Sequence, residues 1–90
     1  MCTVWRTGTD ANVTFGGPKA LAYCADIRRR WEAQGISVQE ADPKGTQVCA
    51  AKLQNSPGDS FVVADVGGQY YGKQLCTVLL PWARGGELGL

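Results

Sequence analysis

Apolar residues recur along this chain at two different spacings, and the switch between them marks out the elements. Val13-Thr14-Phe15 alternates and predicts a short strand with Val13 and Phe15 on one face. Gly16-Gly17-Pro18 then turns the chain, with proline suited to a first helical position because its missing N–H would be unpaired there anyway. From Pro18 to Gln34 the spacing becomes helical: Ala20, Cys24, Ile27 and Trp31 form one stripe, with Leu21 on its flank. Gly35 supplies a left-handed stop. Alternation returns in Ile36–Glu40, Gln47–Leu53 and Ser60–Val66, separated by the turn sequences Asp42-Pro-Lys-Gly45 and Asn55-Ser-Pro-Gly-Asp59. Gly67-Gly68 bends the chain into a second helix, Gln69 to Leu80, with Tyr71, Leu75, Val78 and Leu79 as its stripe and Pro81 as its end.

The expected fold is therefore α+β, of order β-α-β-β-β-α: an antiparallel four-stranded sheet with two helices packed on one face. Short turns between the last three strands predict a meander. Residues 1–11 read as a lead-in, 12–80 as a single domain and 81–90 as a flexible tail. No internal repeat is visible. In this register Val48, Ala50, Val62, Ala64 and Val66 share the sheet face away from the helices, diluted by Lys52 and Ser37. A face of that kind points to a partner protein or a self-dimer, or to a terminal segment carrying Trp5 or Trp82 folded across it.

Ninety residues make one domain with one core. Nine basic and eight acidic side chains leave a net charge of +1, without the basic excess of a dedicated nucleic-acid binder or the charge that would hold the chain on a membrane surface. No stretch is apolar for long enough to span a bilayer. Met1–Arg6 lacks the apolar run of a secretory signal, so the expected location is cytoplasmic in a bacterial host, or extracytoplasmic if a leader has been removed. Cys2, Cys24, Cys49 and Cys76 are widely spaced. Without an export signal they read as buried thiols; a bridge, if present, is expected between Cys24 and Cys76, on two helices that could lie side by side. Zinc sites bring ligands close in sequence, and this spacing does not.

Three chemical signals need weighing. Gly67 to Lys73 fits G-x-x-x-x-G-K, the opening of a phosphate-binding loop, but Gln74 replaces the metal-binding hydroxyl and Tyr70 and Tyr71 are bulky for a loop that wraps phosphate. Arg28-Arg29-Arg30 is the one basic run and fans around its helix, which is the pattern of a solvated face; an electrostatic contact with nucleic acid is the sharper alternative. The chain has no histidine, so Ser-His and Cys-His pairs are excluded, and Asp59 and Asp65 stand at opposite ends of one predicted strand. The expectation is no catalytic residue, no metal and no cofactor.

The V-T-F strand at Val13–Phe15, the helix with central Cys24, the pair Val48-Cys49 and the run Gly67 to Cys76 resemble small actinobacterial α+β proteins and some phage-encoded relatives. The resemblance covers about residues 12–80 and carries no catalytic set. It implies either an exported domain tied by disulfides or a small phage- or mobile-element inhibitor of a host protein. The leading expectation is a non-enzymatic protein-interaction domain that binds through Tyr70, Tyr71, Val62, Ala64, Val48 and Trp82. Nucleotide or nucleic-acid binding through Gly67–Lys73 and Arg28–Arg30 is the alternative.

Overall fold

A computed structural model describes residues 1–67 and 70–85. The chain is α+β, with two helices and a five-stranded antiparallel sheet. The elements are β1 (Cys2–Arg6), β2 (Ala11–Gly16), α1 (Ala20–Ala33), β3 (Val38–Glu40), β4 (Thr46–Lys52), β5 (Ser60–Asp65) and α2 (Tyr70–Ala83). The strands lie in the order β3-β1-β2-β5-β4.

The core is built by strict alternation. Val4 pairs with Val13, Val13 with Val63 and Phe15 with Phe61, so these side chains stand on one face in adjacent strands. They form a single cluster with Cys24, Ile27 and Trp31 of α1 and with Leu75, Cys76 and Leu79 of α2. Both helices therefore cover the same face. The predicted stripe of α1 is buried in full, and Leu21 on its flank is exposed. In α2, Leu75 and Leu79 are buried but Tyr71 is not.

Four features differ from the sequence reading. The expected lead-in contains a strand: Cys2 and Val4 alternate with Thr3 and Trp5, and β1 pairs with both β2 and β3. The sheet consequently has five strands rather than four. The expected meander is broken, because β3 and β4 occupy opposite edges. Asp42-Pro-Lys-Gly45 is not a tight turn but part of a strap that crosses the sheet. Six Cα steps from Glu40 to Thr46 reach about 20 Å, and the four strand spacings between the edges need about 19 Å, so the link is just long enough. Finally, α2 does not stop at Pro81 but runs to Ala83. Proline there removes only the bond to the Thr77 carbonyl, in a last turn held by buried Ala83, whose carbonyl accepts from Gln54 N–H at 2.9 Å. The rest of the expected tail, residues 86–90, lies outside the described residues.

The topology repeats although the sequence shows no repeat of fixed period. A hairpin β1–β2 is followed by α1, which packs on it; a hairpin β4–β5 is followed by α2, which packs on that. The two ββα units meet where β2 pairs with β5.

Candidate interaction surface

The cysteines are resolved into two disulfides, Cys2–Cys24 and Cys49–Cys76, and none is free. This corrects both the buried-thiol reading and the Cys24–Cys76 pairing. The expected pairing joined the two helices; instead each helix is fastened to the first strand of its own hairpin. Cys2 stands opposite Phe15 and Cys49 opposite Val63, so both strand cysteines point into the helix-covered face. With all four sulfurs bonded there is no thiol to act as a nucleophile or metal ligand.

The two aspartates at the ends of β5 have structural partners. Asp59 is buried, and its Oδ1 accepts the Lys19 N–H at 2.9 Å, at the start of α1, where Lys19 itself offers no side-chain cap. Asp65 is buried, and its Oδ2 accepts the Gly72 N–H at 2.8 Å, in the first turn of α2. Each carboxylate thus satisfies an N–H that a helix start leaves without a partner and complements the positive end of the helix dipole. They do not converge on a common point.

The same contact bears on the phosphate-loop motif. A phosphate would need the N–H groups at the start of α2, and Asp65 already takes the Gly72 N–H. Gly72 is buried inside the helix, where a Cβ would meet Val48 Cγ2 at 2.8 Å and Asp65 Cβ at 3.0 Å. Its role is close packing of α2 on β4 and β5. Gly67 has φ +70°, the left-handed backbone of the turn into the helix, while Gly68 and Gln69 lie outside the described residues.

The arginine run is neutralised. Arg28 bonds Glu32 at 3.1 Å and Glu40 at 3.2 Å, and Arg29 and Arg30 both pair with Asp26. These are solvated pairs of small net energy, in which three arginines face three carboxylates.

The sheet face opposite the helices is not the open apolar surface expected. The strap lies over it: Asn12 Nδ2 donates to Lys44 O at 2.8 Å, and Lys44 Nζ sits 5.1 Å from the Trp5 ring centre. Thr3 and Thr14 share a hydrogen bond of 2.7 Å between their hydroxyls. Ala64 is buried and Val62 half-buried. Val48 is not on this face at all. The register slips between Gln47 and Cys49, so Val48 is the extra residue of a bulge and approaches Gly72 on the helix side. Trp82, expected in the tail, is half-buried on α2 and packs with Phe15, Tyr23 and Phe61 at ring-centre distances of 5.3–6.2 Å. Of the six residues expected to meet a partner, the structure leaves two prominent. Tyr70 is 69% exposed and Tyr71 42%, and their rings meet edge to face at 5.6 Å. Val66, 47% exposed, lies just before the turn that leads to them.

Among the described residues no group of three or more side chains is placed to hold a metal ion, and no helix is long and apolar enough to cross a membrane. Comparison with protein-family models, with curated proteins and with solved structures gives no match.

Proposed function

We propose that this chain is a non-enzymatic protein-interaction domain, braced by two disulfides for work in an oxidising compartment, that meets its partner through the rim at the start of α2. The observation that carries the reading is the Tyr70–Tyr71 pair: two large aromatic rings held at a helix start and left exposed. Tyrosine at such a position offers a rigid apolar face with a polar tip and is enriched in binding hot spots. Every other described Phe, Tyr or Trp ring is at least half-buried, so this exposure is specific to the rim. The two disulfides support that location, since structural disulfides persist outside the reducing cytoplasm. This favours the exported reading over the cytoplasmic one. A viral or mobile-element inhibitor of a host protein fits the same surface.

The test is affinity capture from the natural source with the intact protein and with Tyr70→Ala/Tyr71→Ala, followed by measurement of each captured partner's Kd. The expected result is a partner bound by the first and lost by the second, while both melt alike. A partner held equally by both would reject the rim. Intact mass of natively isolated protein, alkylated without reduction, is expected to show no added groups; four would reject the oxidising compartment.

A further inference from the structure

β4 is an edge strand with an unusually plain edge. It runs for seven residues, and Thr46 to Ala51 contain no charge and no proline. The opposite edge, β3, has three residues, and its Glu40 is engaged by Arg28. Leu53 N–H donates to Asp59 O at 2.9 Å. That bond fixes the phase of the ladder: Cys49, Ala51 and Leu53 turn their backbone groups toward β5, and Ala50 and Lys52 turn theirs away. Among the described residues no strand lies beyond them. A row of outward N–H and C=O groups is a template for an added strand.

The charge around this edge has one sign. Lys52 stands at its end on the strap side of the sheet. Lys73 of α2 stands at its beginning on the helix side, where it lines a cleft of about 290 Å³ with Thr46, Gln47, Val48 and Gly67. Both lysines are exposed, and neither has an ion pair among the described residues. The one acid lining the cleft, Asp65, is buried and turned to the Gly72 N–H.

We propose that the β4 edge receives an extended acidic segment of a partner protein as a sixth strand. The inference rests on the interaction reading above and adds the surface and the partner's chemistry. Backbone bonds to Ala50 and Lys52 align the segment, one carboxylate meets Lys52 and another meets Lys73. The bulge at Val48 drops one residue from the count, so Thr46, which lines the cleft with Lys73, and Lys52 are five strand positions apart, as Asp65 and Ser60 are opposite them, or about 16 Å. Because the lysines lie on opposite faces, the two acids must also lie on opposite faces, which requires an odd spacing. The segment therefore carries acids five positions apart.

The test uses the intact oxidised protein and nine-residue peptides of alternating valine and threonine. One carries glutamates five positions apart, one carries them four apart, and one has lysines instead. Calorimetry is expected to rank the first at least about tenfold tighter than the others, with affinity falling as salt rises. Lys52→Glu/Lys73→Glu, exposed and outside the core, should keep the fold and reverse the preference toward the lysine peptide. Hydrogen exchange should show the Ala50 and Lys52 amides slowing only when the glutamate peptide is present. Equal binding of all three peptides, no binding of any, or an unchanged preference in the double variant overturns the proposal. So does a dimer in which those amides are protected without peptide, which would give the edge to a second copy. Loss of a captured partner on Tyr70→Ala/Tyr71→Ala, with no glutamate-peptide binding, would leave the interaction reading standing and remove only the edge.

Discussion

Replacing Cys49 and Cys76 together by alanine tests the arrangement most directly, because it removes one staple without leaving an odd thiol. The bond closes a loop with a sequence separation of 27. The chain-entropy relation gives about 12 cal/mol/K for a loop of this length, or roughly 3.5 kcal/mol at 25 °C. The Cys2–Cys24 loop, with a separation of 22, gives about 3.4 kcal/mol by the same relation. The two loops are consecutive rather than nested, so their contributions should add to about 7 kcal/mol, a large part of the 5–15 kcal/mol by which a domain is stable. Urea unfolding followed by tryptophan fluorescence is the assay. With a slope near 1 kcal/mol/M for a small chain, the midpoint should fall by about 3 M in either double variant. The oxidised protein should also yield two linked tryptic species. Residues 1–6 join 20–28, and residues 45–52 join 74–84, because each cysteine lies in its own tryptic peptide. A midpoint change below about 1 M at constant slope, or a species joining 20–28 to 74–84, would refute the two-staple account.

The helix starts give two further predictions. Asp65→Ala removes a buried carboxylate from the Gly72 N–H and should cost about 1–3 kcal/mol in the same urea assay; a loss under about 0.5 kcal/mol would show that α2 starts independently of it. Gly72→Ala gains helix propensity but drives a methyl to 2.8 Å from Val48 Cγ2, so the net effect should be a loss of about 1–3 kcal/mol. A more stable protein would mean that α2 can lift from β4. Tyr70→Ala/Tyr71→Ala should stay within about 0.5 kcal/mol of the parent chain, as expected of exposed side chains that support no core.

Much of the core was legible in the sequence because periodicity reports burial. Ala20, Cys24, Ile27 and Trp31, and Phe61 with Val63, appear inward in the pattern and are buried in the structure. The sheet order was not legible. Adjacent strands joined by few residues are usually neighbours in space, and nothing local in Asp42-Pro-Lys-Gly45 distinguishes a turn from an extended strap. Val48 was misplaced because one bulge residue reverses the alternation before it. Cys2 was left without a partner because Met1–Arg6 is short and interrupted by polar residues, and its strand character depends on pairing with β2 and β3. Of the candidate surface, Tyr70 and Tyr71 were legible as aromatics beside a glycine turn. The β4 edge was hidden, since which strand ends a sheet is a property of the whole topology.

The two staples make sense together with the repeated ββα arrangement. A hairpin and one helix of this size expose most of their apolar surface and cannot form a stable core alone. Pairing β2 with β5 joins the two units into one sheet and puts Val13 against Val63 and Phe15 against Phe61 at the seam. The seam is thus held by apolar burial and a continuous ladder, and the helices above it meet through the Tyr23 and Trp82 rings at 5.3 Å. Each helix must then be fixed to its own half of the sheet, and in each half a disulfide runs from the first strand to the helix. The buried aspartates divide differently. Asp59 and Asp65 both flank β5, yet Asp59 serves the start of α1 and Asp65 the start of α2. One strand therefore positions both helices, and the rim bearing Tyr70 and Tyr71 is set by the same strand that pairs with the open edge. Strain on β5 should therefore move the rim and the edge together.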